Sequence, residues 1–216
     1  MEGNHWQTLV IVLAVLVMAG GAVAMVLVGR SQRAGREQAA RDVNGVLREL
    51  ATALHGELVP GKFLYQHPTL GELREYGVAR VTSHKLAVEV TVNYPADDTH
   101  DHRTVVRVPT PPHRAWRVTG LTMKRAPAAD ADLSSAATFE RCIAGARAGD
   151  LPDPARVRLL QLTRQALALE LGAEGLRVTV AVDKPMFGGE WHETDQGRLR
   201  ALVDEAALTA AELLSH

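Results

Sequence analysis

Lys85-Leu86-Ala87-Val88-Glu89-Val90-Thr91-Val92-Asn93-Tyr94 decides the fold class of this chain. Leu86, Val88, Val90, Val92 and Tyr94 fall on one side of the alternation, and Lys85, Ala87, Glu89, Thr91 and Asn93 on the other. A period of two is the mark of a strand with one buried face, because successive side chains of a strand point to opposite sides. Thr104 to Val108 reads as a second strand, bounded by Pro109, Pro111 and Pro112, which suit a strand end or edge. Ala115 to Met123 reads as a third, with Gly120 shifting the phase as a bulge does. Short connections between sequential strands predict an antiparallel sheet, and residues 60–125 are assigned to it.

Helices flank this region. Val43, Val46, Leu47, Leu50 and Leu54 recur at spacings of three and four, with Arg41, Asp42, Arg48 and Glu49 between them, so an amphipathic helix is expected over 37–55. Gly56, Pro60 and Gly61 end it. Residues 126–135, beginning Ala126-Pro127-Ala128-Ala129-Asp130, read as a linker or long loop. In the remaining stretch, 136–216, Asp153-Pro154 opens a helix with Asp as N-cap and Pro at the first helical position. Leu167, Leu169 and Leu171 alternate, Gly172-Ala173-Glu174-Gly175 turns, and Leu176, Val178, Val180 and Val182 alternate again, as in a β-hairpin. Arg, Gln, Ala and Leu also favour a helix running on through Leu171, the rival reading. From Asp195 to Leu214, Leu199, Leu202, Val203, Ala206, Ala210, Leu213 and Leu214 share one side of a closing helix. The expected class is α+β, with a helix-hairpin-helix carboxy-terminal part packing with the sheet.

Ahead of all this, Leu9 to Val28 is twenty residues without a charge. As a helix it is about 30 Å long, the thickness of a bilayer's hydrocarbon core. A cleavable signal is the competing reading, because Ala22-Val23-Ala24 has the small residues of a cleavage site. Met1 to Thr8 contains no Lys or Arg, however, and the apolar run continues past Ala24, so a retained transmembrane helix over 9–28 is expected. Arg30, Arg33 and Arg36 follow it directly. Basic residues beside a span stay in the cytoplasm, which predicts the amino terminus outside and the folded domain cytoplasmic, as in a bacterial inner membrane. The single Cys142 excludes an intramolecular disulfide and agrees with a reducing compartment. Gly20 and Ala24 form a small-xxx-small pair, so self-association of spans through that face is one reading and a lone span the other.

Nine histidines prompt a search for chemistry. The densest group is Asp97-Asp98-Thr99-His100-Asp101-His102, just after the clearest strand. Thr99-His100-Asp101-His102 resembles the start of the metallo-β-lactamase metal motif, which next requires Asp and His where this chain has Thr104 and Val105. Asp97, Asp98, His100, Asp101 and His102 remain candidate metal ligands, since carboxylate and imidazole suit zinc. A solvated strand-to-strand loop of turn-forming Asp and Thr is the favoured reading of the same residues. Gly188-Gly189 before Trp191-His192-Glu193 does not suit phosphate, because Glu190, Glu193 and Asp195 repel it. A zinc-protease helix would need a histidine where Gln196 stands. No nucleophile elbow, P-loop, dinucleotide fingerprint or C-x-x-C pair occurs. Lys and Arg number 24 against 25 Asp and Glu, a balance that argues against nucleic acid as a partner.

Two stretches carry a family resemblance. One runs from Glu49-Leu50-Ala51 through Leu58-Val59-Pro60-Gly61-Lys62 to Gly77-Val78, the other from Phe139-Glu140-Arg141 through Asp153-Pro154-Ala155-Arg156-Val157-Arg158-Leu159-Leu160. In their order they resemble an uncharacterised class of bacterial single-pass membrane-anchored α+β proteins with no assigned activity. The resemblance implies a leader span and a folded domain, and brings no catalytic residues or cofactor. The expected function is therefore a membrane-tethered interaction domain that is not an enzyme. Its partners would be the bilayer and other proteins. A metal-dependent hydrolase or small-ligand binder using the 97–102 loop is the alternative, as is a ligand site between the sheet and the terminal helix.

Overall fold

The computed structural model describes residues 18, 21, 25–29, 43–61, 63–67, 71–74, 77–93, 103–116, 118–181 and 193–214. The chain divides into two compact units, Met1–Arg41 and Asp42–His216. In the first, the described residues are helical, and Met18, Met25, Val26, Leu27 and Val28 are exposed. Most of the 9–28 stretch, including Gly20 and Ala24, lies outside the described residues, as do Arg30, Arg33 and Arg36. Among the described residues, no helix is long and apolar enough to cross a membrane.

The second unit is α+β and is built on one eight-stranded sheet. Its strands are β1 (Glu57–Val59), β4 (Val78–Ser83), β5 (Leu86–Asn93), β6 (Arg103–Pro109), β7 (Leu121–Met123), β8 (Ile143–Ala144), β9 (Ala168–Gly172) and β10 (Gly175–Ala181). They lie in the order β1-β4-β5-β6-β10-β9-β7-β8, antiparallel at every pairing. A separate pair, β2 (Phe63–His67) and β3 (Gly71–Arg74), forms a two-stranded sheet. The helices are α1 (43–53), α2 (Ala136–Cys142), α3 (Asp153–Gln165) and α4 (Glu193–Leu214).

The period of two in Leu86–Asn93 is the period of burial. Leu86, Val88, Val90 and Val92 are buried and Ala87 is exposed. The register carries this inward face across the sheet: Ala79, Val90, Val106, Val178 and Leu169 stand opposite one another in turn on five strands, each almost wholly buried. Each side chain the size of Val or Leu in such a row contributes about 1.5–3 kcal/mol by leaving water. Helix α4 crosses the inward faces of β4, β5, β6 and β10, and α3 packs on α4 and β9. Leu199, Leu202, Val203, Ala206, Ala210 and Leu213 are its buried side, as the spacing predicts. The hydroxyl of Ser83, at the end of β4, donates to Asp204 Oδ1 over 2.7 Å. Beside β4, Asn44 Oδ1 of α1 accepts from the Gly77 amide at 3.0 Å, and Val43, Leu47 and Leu50 join the same core.

Two expectations need correction, and one rival reading is excluded. Ala115 to Met123 is not one strand: β7 is limited to Leu121–Met123, and Trp116 sits in the preceding loop. Trp116 is buried nonetheless, its Nε1–H donating to Thr110 Oγ1 at 2.5 Å, while Thr110 Oγ1 donates to the Ala173 carbonyl at 2.6 Å. Side-chain hydrogen bonds hold that loop, so the strand period is absent there. Helix α3 has Pro152, not Asp153, at its N-cap, and Asp153 and Pro154 are already helical. The rival helix through Leu171 does not form, since α3 stops at Gln165 and the hairpin follows.

The β9–β10 hairpin extends the main sheet, with Ala173 and Glu174 as its turn between paired Gly172 and Gly175. Gly175 has φ +139, and a Cβ there would lie 2.2 Å from the Val108 carbonyl oxygen. Gly175→Ala is therefore expected to destabilise the domain by roughly 1–3 kcal/mol. A Cβ at Gly172 meets nothing within 4 Å, so Gly172→Ala should stay within about 0.5 kcal/mol of the parent. Urea unfolding of the two variants checks the contrast; equal losses would refute the close approach. Leu171→Ala, inward and 1% exposed, should lose about 2–5 kcal/mol by the same measurement.

Candidate functional site

The sheet's second face carries a different pattern. Arg80, Glu89, Arg107, Arg177, Glu170 and Thr122 follow one another across six strands. At about 4.8 Å per strand the row is roughly 24 Å wide. Arg80 Nε lies 3.2 Å from Glu89 Oε1, and Arg107 reaches Glu89 at 3.9 Å and Glu174 at 3.0 Å. These are partly exposed pairs, each worth at most about 1 kcal/mol. Arg107 stands directly opposite Arg177, an arrangement of like charges that a sheet does not favour for stability. Arg177 makes no ion pair with a described residue. Thr82, Ala87 and Thr122 are exposed on this face, Thr91 and Thr179 half-buried, and Val105 buried. Buried residues of α1, α2, α3 and α4 belong to the same cluster as the inward row.

A second feature lies near the β8 end of the sheet. Between the 125–131 stretch and α2 lies a half-open cleft of about 300 Å³. Pro127 and alanines of the same stretch, Thr138 and the buried Cys142 line it, and Arg125 and Arg141 border it. The amides of Lys124 and Arg125 both donate to the Cys142 carbonyl, at 2.7 and 3.4 Å, which ties one wall to the other. Two arginines of α3 hold the loop that follows. Arg164 Nη2 donates to the carbonyls of Ala128 and Ala129 at 3.4 and 3.1 Å, and Arg156 Nη2 donates to that of Ser134 at 3.4 Å. The loop's own turn is set by Asp132, whose Oδ1 accepts from the Ser134 hydroxyl at 2.6 Å and the Ser134 amide at 2.9 Å.

The residues singled out from the sequence for metal binding, Asp97, Asp98, His100, Asp101 and His102, lie outside the described residues, as do Trp191 and His192. Among the described residues, no group of three or more His, Cys, Asp or Glu side chains is placed to hold a metal ion. The cleft and the second sheet face were not singled out from the sequence. Arg125, Thr138 and Arg141 are brought together from a loop and a helix, and no spacing in the chain announces that. Arg80, Glu89, Arg107 and Glu170 had a legible sign, their place on the polar side of alternating strands.

Compared with protein-family models, with curated proteins and with solved structures, the chain matches none.

The Ser134 hydroxyl and amide hold the Asp132 carboxyl below its ordinary value. A carboxyl so lowered favours the folded state above its unfolded pKa, and that contribution is lost as pH falls through the lower folded value. Removing the hydroxyl by Ser134→Ala should raise the Asp132 pKa toward that of a free carboxylate. A carboxyl NMR titration reads this directly, and an unmoved midpoint would contradict the assignment.

Proposed function

We propose that this protein is a single-pass membrane-tethered module whose folded domain, on the cytoplasmic side, recognises a protein partner through the open face of its sheet. The observation that carries the reading is the sidedness of the fold. Buried side chains of α1–α4 share one cluster with the inward row, while a charged and threonine-bearing row six strands wide lies on the other side of the same strands. Arginines, acids and hydroxyls alternate there, a mixture that matches a protein surface of both signs better than a polyanion. Arg107 and Arg177 stand opposite as like charges, and an acidic group of a partner would add to the Glu89, Glu174 and Glu170 that flank them. The tether rests on the uncharged run Leu9 to Val28, with Arg30, Arg33 and Arg36 after it. Helical Met25, Val26, Leu27 and Val28 with exposed side chains agree with an apolar surface that needs a nonpolar environment.

A photo-crosslinking residue placed at Thr82, on the open face, should give a discrete higher-mass adduct in intact membranes. The same residue at Arg200, on the exposed side of α4, should not. Arg177→Glu should reduce the Thr82 adduct severalfold while the domain still unfolds cooperatively. Equal adducts from Thr82 and Arg200, or none from Thr82, would reject the sheet face as the binding surface. Buried Cys142 is a poor topology probe, so a carboxy-terminal reporter is the appropriate check of the cytoplasmic side.

A further inference from the structure

We infer that the cleft between the 125–131 stretch and α2 binds a small organic anion, a carboxylate or phosphate group carried on an apolar body. Three observations combine. The first is shape: about 300 Å³ is at the small end of ligand sites, and its walls are largely carbon, from Pro127, the neighbouring alanines and the Cys142 side chain. A compact apolar body fills such a space and a peptide does not.

The second is charge. Arg125 and Arg141 both border the cleft, and among the described residues no carboxylate lines it. The Arg125 side chain makes no hydrogen bond or ion pair with a described residue, and Arg141 donates to the Thr138 hydroxyl at 3.2 Å and makes no ion pair with a described residue. A guanidinium presents paired donors that fit the two oxygens of a carboxylate or phosphate, so two of them at one concavity favour an anion. Arg141 also lies in the last turn of α2, where a cation is favourable to the helix itself. Arg125 lies outside any helix and has no such reason to be there.

The third is pre-organisation. Neither wall depends on a ligand for its position, because one is held by Arg164 on the carbonyls of Ala128 and Ala129, and both meet at the Cys142 carbonyl. Binding to a formed cleft avoids the entropy of ordering a loop. Acidic Glu140, Asp130 and Asp132 are near in sequence and exposed, but they do not line the space.

The test uses the full chain in uncharged phosphatidylcholine nanodiscs and equilibrium dialysis of three probes: benzoate, phenyl phosphate and the neutral isostere benzamide. Empty nanodiscs supply the blank. Benzoate or phenyl phosphate should be retained at least tenfold more tightly than benzamide, and Arg125→Gln with Arg141→Gln should bring the anion down to the benzamide level. Both arginines are exposed, so the double variant should stay folded, with its unfolding midpoint lowered only slightly by loss of the last-turn cation of α2. Ala131→Trp, which fills the cleft and leaves its charge intact, should abolish retention of the anion as well. Equal binding of benzamide and benzoate, no retention above the blank, or anion binding that survives either variant would overturn the proposal. Which anion is retained more strongly separates a carboxylate ligand from a phosphate ligand.

Discussion

The row Ala79, Val90, Val106, Val178 and Leu169 is the constraint on which the domain depends. Five strands from two distant parts of the chain must agree in register for these side chains to share a face. A slip of one residue on any strand would turn its apolar set outward and its charges inward. Agreement here fixes the second face too. Once Val90, Val106 and Val178 point toward α4, Glu89, Arg107 and Arg177 point away from it, so the charged row is the geometric complement of the core row. Cross-strand opposition of Arg107 and Arg177 follows from that register.

Close approach of backbone is the second condition, because the sheet is assembled from segments far apart in sequence. Gly175 brings the β9–β10 hairpin against the Val108 carbonyl, where a Cβ has no room. Gly56 follows α1 so closely over β4 that a Cβ would fall 2.1 Å from the Arg80 carbonyl oxygen. One contact lies between the central strands β6 and β10 and the other beside β4, and they let the hairpin and α1 close on the sheet. The Thr110 hydroxyl then fastens the loop after β6 to the hairpin tip, and Trp116 covers the remaining apolar surface.

Periodic features of the fold were legible in the sequence. Leu86 to Val92, the hairpin around Gly172 and Gly175, and α4 each bury an amphipathic stripe, and a stripe is a local signal. Pairing is not local. Nothing in the alternation of Leu176, Val178 and Val180 says that β10 lies beside β6 and not at an edge. The short strands β1, β7 and β8 are too brief to show a period, and Trp116 is buried through hydrogen bonds that leave no pattern. The same reasoning divides the sites. The sheet face could be read as the polar half of an alternation, whereas Arg125 and Arg141 meet only because β7 and α2 converge on the Cys142 carbonyl. His100 and His102 drew notice for the opposite reason, because proximity in sequence is conspicuous whether or not it corresponds to convergence in space.

The two surfaces differ in what their arginines face. On the sheet, Arg80 and Arg107 already engage Glu89 and Glu174 in an open, water-accessible plane, where a further charge contact adds little. Affinity on such a plane must come from many modest contacts over a wide area, which is how one protein surface meets another. At the cleft, Arg125 and Arg141 border a concavity with carbon walls, and an anion entering it sheds water from one side. Charge-assisted hydrogen bonds gain strength as the surroundings become less polar. A few contacts in that setting can hold a small molecule that the same number of contacts on the sheet could not. Flat breadth therefore suits a macromolecule, and narrow concavity a small anion, and the fold sets them on different elements so that one can be altered without the other.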